Sequence, residues 1–200
     1  MNLPQTSVFR SEDSKQIEGK ALNMLIHNMT YHYTEVKVYE DGMVDCWGLV
    51  DLDGFKNKIK EGWIVTEIPE GGELSLPNVG ILKVKESIHS FPTDDLVTLV
   101  EDTIAKLNGT YIEKSKICLE AYQAYLSEPT QENKEALRIA YEAVPRYERA
   151  YLGDQDVKDI PIRMAIYGED EIENWSHRKA AKQMGLKKLP FIKLPWRKKV

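Results

Sequence analysis

The sequence predicts an α+β protein: an N-terminal small antiparallel β-sheet or half-open barrel, then a helical bundle, then an extended C-terminal arm. Three observations carry this. Apolar residues alternate with polar ones between Leu22 and Ser87; from Pro92 onward they recur at helical spacing; and Pro190 and Pro195 hold the last segment extended. The 200 residues, 42% apolar and 30% charged, are enough for one domain or two small ones. The expected organisation is a flexible N-terminal arm over 1–20, an antiparallel β subdomain over 21–90, a helical subdomain over 91–185 and a basic extended arm over 186–200, docked on the body.

The polar stretch SEDSKQIEGK shows no sustained period, which predicts the loose arm. In TEVKVYEDGMVDCWG, two hairpin registers compete. A two-residue Asp41-Gly42 loop would set Val38 against Asp45. A three-residue Glu40-Asp41-Gly42 loop sets Val38 against Val44, Val36 against Cys46 and Lys37 against Asp45, keeping one face apolar, and is preferred. DGFKNKIKEG offers Asp53 as a helix cap and Gly62 as a stop. WIVTEI reads as a strand, PEGGE as a turn, and LSLP with GILKVKES as further strands.

After Pro92, the stripe Leu96, Val97, Leu99, Val100, Ile104 and Leu107 predicts a helix with Asp94 and Asp95 in its first turn and Asn108-Gly109 at its end. Thr110-x-x-Glu113 has the spacing of a capping box for a second helix ending at Ser127. A third starts after Thr130, carries Leu137, Ile139, Ala140, Tyr141 and Val144, and stops or kinks at Pro145. IRMAIYG fits a short strand or a helical turn equally well. Residues 169–184 read as a last helix with Ile172, Trp175 and Met184 on one side and Gly185 as its stop.

Charge is the sharpest functional feature. All 32 acidic residues precede Asn174, whereas residues 175–200 hold nine Lys and Arg and no acid. The body, residues 1–174, is therefore at −14 and the tail at +9, which gives the overall −5. A pI near 5.5 argues against general nucleic-acid binding by the whole molecule. Within the tail, Lys187, Lys188, Lys193, Arg197, Lys198 and Lys199 interleave with Phe191 and Trp196, a composition suited to phosphates, stacked bases or an anionic surface. The same residues also suit an arm laid over the acidic body.

Motifs for chemistry are absent from the sequence. No phosphate loop, GxSxG, Ser-x-x-Lys or HExxH occurs. His27 and His32, in HNMTYH, are expected on opposite strand faces, which excludes joint metal ligation. Asp51-Leu52-Asp53-Gly54 and Asp154-x-Asp156 lack the remaining ligands of a calcium loop and read as cap and turn chemistry. Glu169, Asp170, Glu171 and Glu173 fit a helix N-terminus. Six of the ten tyrosines fall between Tyr111 and Tyr151, as rings at the margin of a helical core or the lining of a groove. Cys46 and Cys118 are expected as buried free thiols.

No metal or cofactor is expected, and neither a transmembrane run nor a signal peptide is visible, so cytoplasmic residence is the expectation. The functional expectation is a non-enzymatic, bacterial-type interaction module whose acidic body binds a basic partner, with neutralisation of a cationic toxin or nuclease, as by an immunity-type protein, as one form. The alternatives are nucleic-acid or anionic-surface binding through the tail, and an enzyme with a dispersed site.

Overall fold

The computed structural model describes residues 6–87, 90–154 and 156–185. The chain divides into two units, Met1–Tyr111 and Ile112–Val200. The fold is α+β, with a mainly antiparallel sheet first and helices following.

The first unit is organised by two long strands, β2 (Lys15–Asn28) and β3 (Thr30–Tyr39), paired antiparallel from Gly19 opposite Tyr39 to Asn28 opposite Thr30. The outer edge of β2 takes β1 (Ser7–Glu12) near its start and β6 (Ile64–Val65) near its end. The outer edge of β3 takes β7 (Glu73–Leu76), in parallel, near its start and β4 (Val44–Asp45) near its end. β5 (Leu49–Val50) extends from β4, and β8 (Gly80–Lys83) from β7. Such a ribbon twists, so short partners at its two ends satisfy edges that one straight strand would not follow.

The three-residue hairpin loop forms as the side chains dictate. Val38 lies opposite Val44 and Lys37 opposite Asp45, Tyr39 N–H donates to the Met43 carbonyl at 2.9 Å, and Gly42 sits at φ +88°. β4 ends at Asp45, so Val36 and Cys46 are not ladder partners, yet both are fully buried in one core.

The loose arm expected over 1–20 is corrected for its described part: residues 7–20 form a hairpin, with Glu12 opposite Lys15 and Asp13 and Ser14 both at positive φ. Its faces are only half-buried, so it shows little apolar alternation.

Leu22, Met24 and Ile26 of β2 and Val36 and Val38 of β3 point to one face, where they meet Val44, Cys46 and Phe55, with Leu96 and Val100 from α2 (Thr93–Leu107). Complete burial of each large apolar side chain is worth about 1.5–3 kcal/mol. α2 therefore closes the sheet's core and belongs to the first unit, whereas a boundary near 90 would have assigned it to the helical part. In α1 (Leu52–Lys60), which carries Phe55, the cap is Asp51 and not Asp53: its carboxylate accepts from Gly54 N–H at 2.7 Å. Gly62, at φ +74°, ends that helix as expected.

In the second unit, Cys118 and Tyr122 of α3 (Lys114–Ser127) pack with Leu137 and Tyr141 of α4 (Gln131–Ala143). Val144, Leu152 and three residues of α6 (Ile160–Tyr167), Ile162, Ala165 and Ile166, complete this cluster. The four-residue α5 (Arg146–Arg149) follows Pro145. IRMAIYG is thus helical, because Pro161 sits in the first turn, where its fixed φ fits and its missing N–H costs nothing. The capping box does not form. Thr110 instead binds the Asn108 side chain, its N–H and hydroxyl both meeting Oδ1, and α3 starts at Lys114 without a side-chain cap.

The single last helix is also corrected. A 3₁₀ helix (Glu169–Asn174) and α7 (Ser176–Gln183) meet at Trp175, whose extended backbone lets its ring bury with Ile160 and Met164 while Nε1 donates to the Asp156 carbonyl at 2.6 Å. Met184, expected on the apolar side, is 73% exposed, and Ile139 is 58% exposed. Among the described residues no helix is long and apolar enough to cross a membrane.

Candidate functional site

Two places in the described residues gather chemistry-bearing side chains. The first is the β4–β5 hairpin. Asp45 lies opposite Leu49, and the turn between them places Trp47 at φ +63°, a left-handed conformation that is a genuine outlier for a bulky residue. The turn is held by Cys46 N–H donating to the Gly48 carbonyl at 3.2 Å and Gly48 N–H donating to Asp45 Oδ1 at 3.2 Å. Trp63 braces it, its Nε1 donating to the Cys46 carbonyl at 3.0 Å.

Trp47 remains 47% exposed, with its ring tilted against His32 at 5.0 Å and edge-on to Trp63 at 6.2 Å. Leu49 is 47% exposed and Met29, at the β2–β3 turn, is almost fully exposed. Asp45, Asp51 and Asp53 share this stretch of chain with Lys56, Lys58 and Lys60, and Lys58 lies 4.6 Å over the Trp63 ring. The arrangement is an exposed aromatic anchor, a composition that suits protein docking.

The second place is a pocket of about 360 Å³ in the second unit, lined by Tyr141, Arg146, Arg149, Asp159, Arg163 and Tyr167 with Ala150. Asp159, 9% exposed, accepts the Tyr141 hydroxyl at 2.6 Å. Burial first, then that hydrogen bond, push the Tyr141 phenol well above the ordinary tyrosine range. Arg149 stacks 4.8 Å over the Tyr141 ring, its Nε donates to the Val144 carbonyl at 2.9 Å and its Nη2 to the Glu142 carbonyl at 3.0 Å. Arg163 pairs with Glu171, and the Tyr167 hydroxyl donates to Glu142 at 3.2 Å. A larger open hollow of about 540 Å³ runs along α3, but one helix lines it and its polar groups do not converge.

The tail contacts expected at Lys187, Lys188, Phe191, Lys193, Trp196, Arg197, Lys198 and Lys199 lie outside the described residues, as does the docking of the arm. HNMTYH proves to be a hairpin turn, not one strand. His27 pairs with Tyr31 and stacks on it at 4.4 Å, while His32 pairs with Ile26, so the two histidines still fall on opposite faces. His177 Nδ1 lies 3.0 Å from the Asp156 carbonyl, and His89 is outside the described residues.

Asp154 accepts from the N–H groups of Asp156 and Val157, the turn chemistry expected of it. Glu171 and Glu173 are engaged by Arg163 and by Arg178 and Lys182, so ion pairs occupy part of the expected N-terminal acid cluster. Among the tyrosines, Tyr122 and Tyr141 are core residues, and Tyr141 reaches the pocket as well. Sequence reasoning missed the three arginines, which are spread over 18 positions and show no motif; the Pro145 break that separates α4 from α5 was the only signal near them. Both cysteines are buried free thiols, and burial pushes the Cys118 thiol up to about 11.

Fold and sites together define an α+β protein of two units with non-overlapping sets of chemistry-bearing residues. The chain belongs to the family described as Domain of unknown function (DUF7638), which matches residues 7–111. Residues 113–189 match a second family, Domain of unknown function (DUF7639). No curated protein and no solved structure matches the chain.

Proposed function

We propose that the protein is a non-enzymatic interaction module whose acidic first unit docks a basic protein partner through the Trp47 hairpin. The observation that supports this most directly is the half-exposed Trp47 at positive φ. Backbone strain of this kind costs on the order of 1–3 kcal/mol and persists where the surroundings enforce it, commonly at functional positions. The charge distribution agrees: residues 1–111 carry 18 acidic and 10 basic side chains, a net of −8. Tryptophan supplies the apolar anchor, and the net charge of −8 on the first unit supplies a field that speeds encounter with a cationic surface. Neutralising a cationic toxin or nuclease is a form of docking this charge suits, because the acid would cover a phosphate-binding cleft.

Affinity capture from source lysate at low and high salt, with wild-type protein and Trp47→Ala, tests the reading. A basic protein retained at low salt, released at high salt and lost with Trp47→Ala is the expected result. Equal retention by the variant removes the hairpin from the interface. A parallel 1–185 truncation separates the tail: nucleic acid or lipid held by the full chain alone would transfer the function to residues 186–200.

A further inference from the structure

We propose that the arginine-lined pocket of the second unit is a binding site for a small ligand bearing an oxyanion, a carboxylate or a phosphate group, with Arg149 as its principal anchor. This is independent of the docking reading, which concerns the first unit. Arg149 spends its donors on the main chain. A guanidinium has five N–H groups, and the two engaged here go to the backbone carbonyls of Val144 and Glu142. Both acceptors are neutral. They fix the fork without cancelling its charge, and the stack on Tyr141 fixes it further.

Asp159 is the obvious internal counter-ion, yet among the described residues no carboxylate is in ion-pair contact with Arg149, and the hydrogen bond that Asp159 accepts comes from Tyr141. Had the arginines been there only to neutralise Asp159, a direct pair would be the expected geometry. Instead a pre-oriented guanidinium faces an open volume. Its immobilised side chain has little rotamer freedom left to lose on binding.

The neighbours suit the same ligand class. The lining holds three guanidinium groups and one carboxylate, a net of +2, in a protein whose overall charge is −5. Glu171 offsets Arg163, and the charge of Arg149, met by neutral carbonyls, is left to face a ligand. Arginine forks match the planar edge of a carboxylate or two oxygens of a phosphate. A volume of about 360 Å³ exceeds what a bare ion needs, and the Tyr167 ring, half exposed at the margin, offers a wall for the ligand's remainder.

The test is a titration of the full chain with inorganic phosphate and, separately, with acetate, at ionic strength held constant with chloride and followed by backbone amide NMR shifts. Saturable shifts confined to residues 141–167 are expected for at least one anion. The anion that saturates assigns the group as phosphate or carboxylate. Arg149→Lys, which keeps the charge and loses the fork, should weaken binding about tenfold, the worth of one charge-assisted hydrogen bond. If Arg149→Lys unfolds, Arg163→Gln, at the same pocket, decides in its place by a loss of affinity in the same direction. Shifts that rise linearly with both anions, or equal affinity in wild-type and the deciding variant, overturn the proposal.

Discussion

Tyr122 and Tyr141 belong to one buried cluster and have opposite fates on losing a hydroxyl. The Tyr141 hydroxyl donates to the buried Asp159 carboxylate, so Tyr141→Phe leaves a charged acceptor short of a partner and should cost about 2 kcal/mol. Among the described residues nothing hydrogen-bonds the Tyr122 hydroxyl, whose burial pushes its phenol up to about 12. Tyr122→Phe removes an unsatisfied buried group and should stabilise by up to about 1 kcal/mol. Urea midpoints of the two variants settle this, and midpoints moving in the same direction would refute the distinction. The tyrosine density was visible in the sequence, but which hydroxyl finds a partner was not. Asp159 lies 18 positions from Tyr141, and only the packing of α6 against α4 brings them together.

At the scale of elements, rules that act within a turn or a hairpin were legible. Alternation selected the Val38–Val44 register over its rival because a one-residue slip would have placed Asp45 on the apolar face. Thr130 caps α4 by accepting from Asn133 N–H at 3.2 Å, and glycines 42, 62, 109 and 185 stand at positive φ where turns and helix ends were expected. Elements whose pattern competes with tertiary packing were not legible. Trp175 breaks the last helix because its ring is worth more in the core beside Ile160 than on a helix surface. The β1–β2 hairpin carried no apolar rhythm, and neither did the close approach of β2 to β3 at Gly19, where a Cβ would lie 2.6 Å from the Tyr39 ring opposite. The cap of α1 separates local rules most cleanly. Asp51→Ala should cost about 1 kcal/mol, whereas Asp53→Ala, which removes only a first-turn charge, should cost a few tenths. Chemical denaturation of both variants checks the order, and equal losses would mean that the field at the helix start, not the hydrogen bond, stabilises it.

Across the whole molecule, one cut point recurs. The first unit ends at Tyr111, the two family matches stop at 111 and start at 113, and the first core cluster lies wholly before that point while the other two lie wholly after it. The overall charge of −5 conceals a first unit at −8 and residues 112–200 at +3, the latter with 17 basic and 14 acidic side chains. Composition read along the chain placed the acid–base divide near 174, because the helical unit mixes both signs before the tail begins. Hydrophobic burial is short-ranged, so a chain cut outside every cluster leaves each cluster whole on one fragment. Separate fragments 1–111 and 112–200 should therefore each unfold cooperatively in urea, and the first, with the Trp47 hairpin, should alone retain the basic partner at low salt. A fragment 1–111 that folds but captures nothing would place the docking surface elsewhere. A fragment that does not fold would show that its core, closed by α2, needs residues beyond 111 for stability.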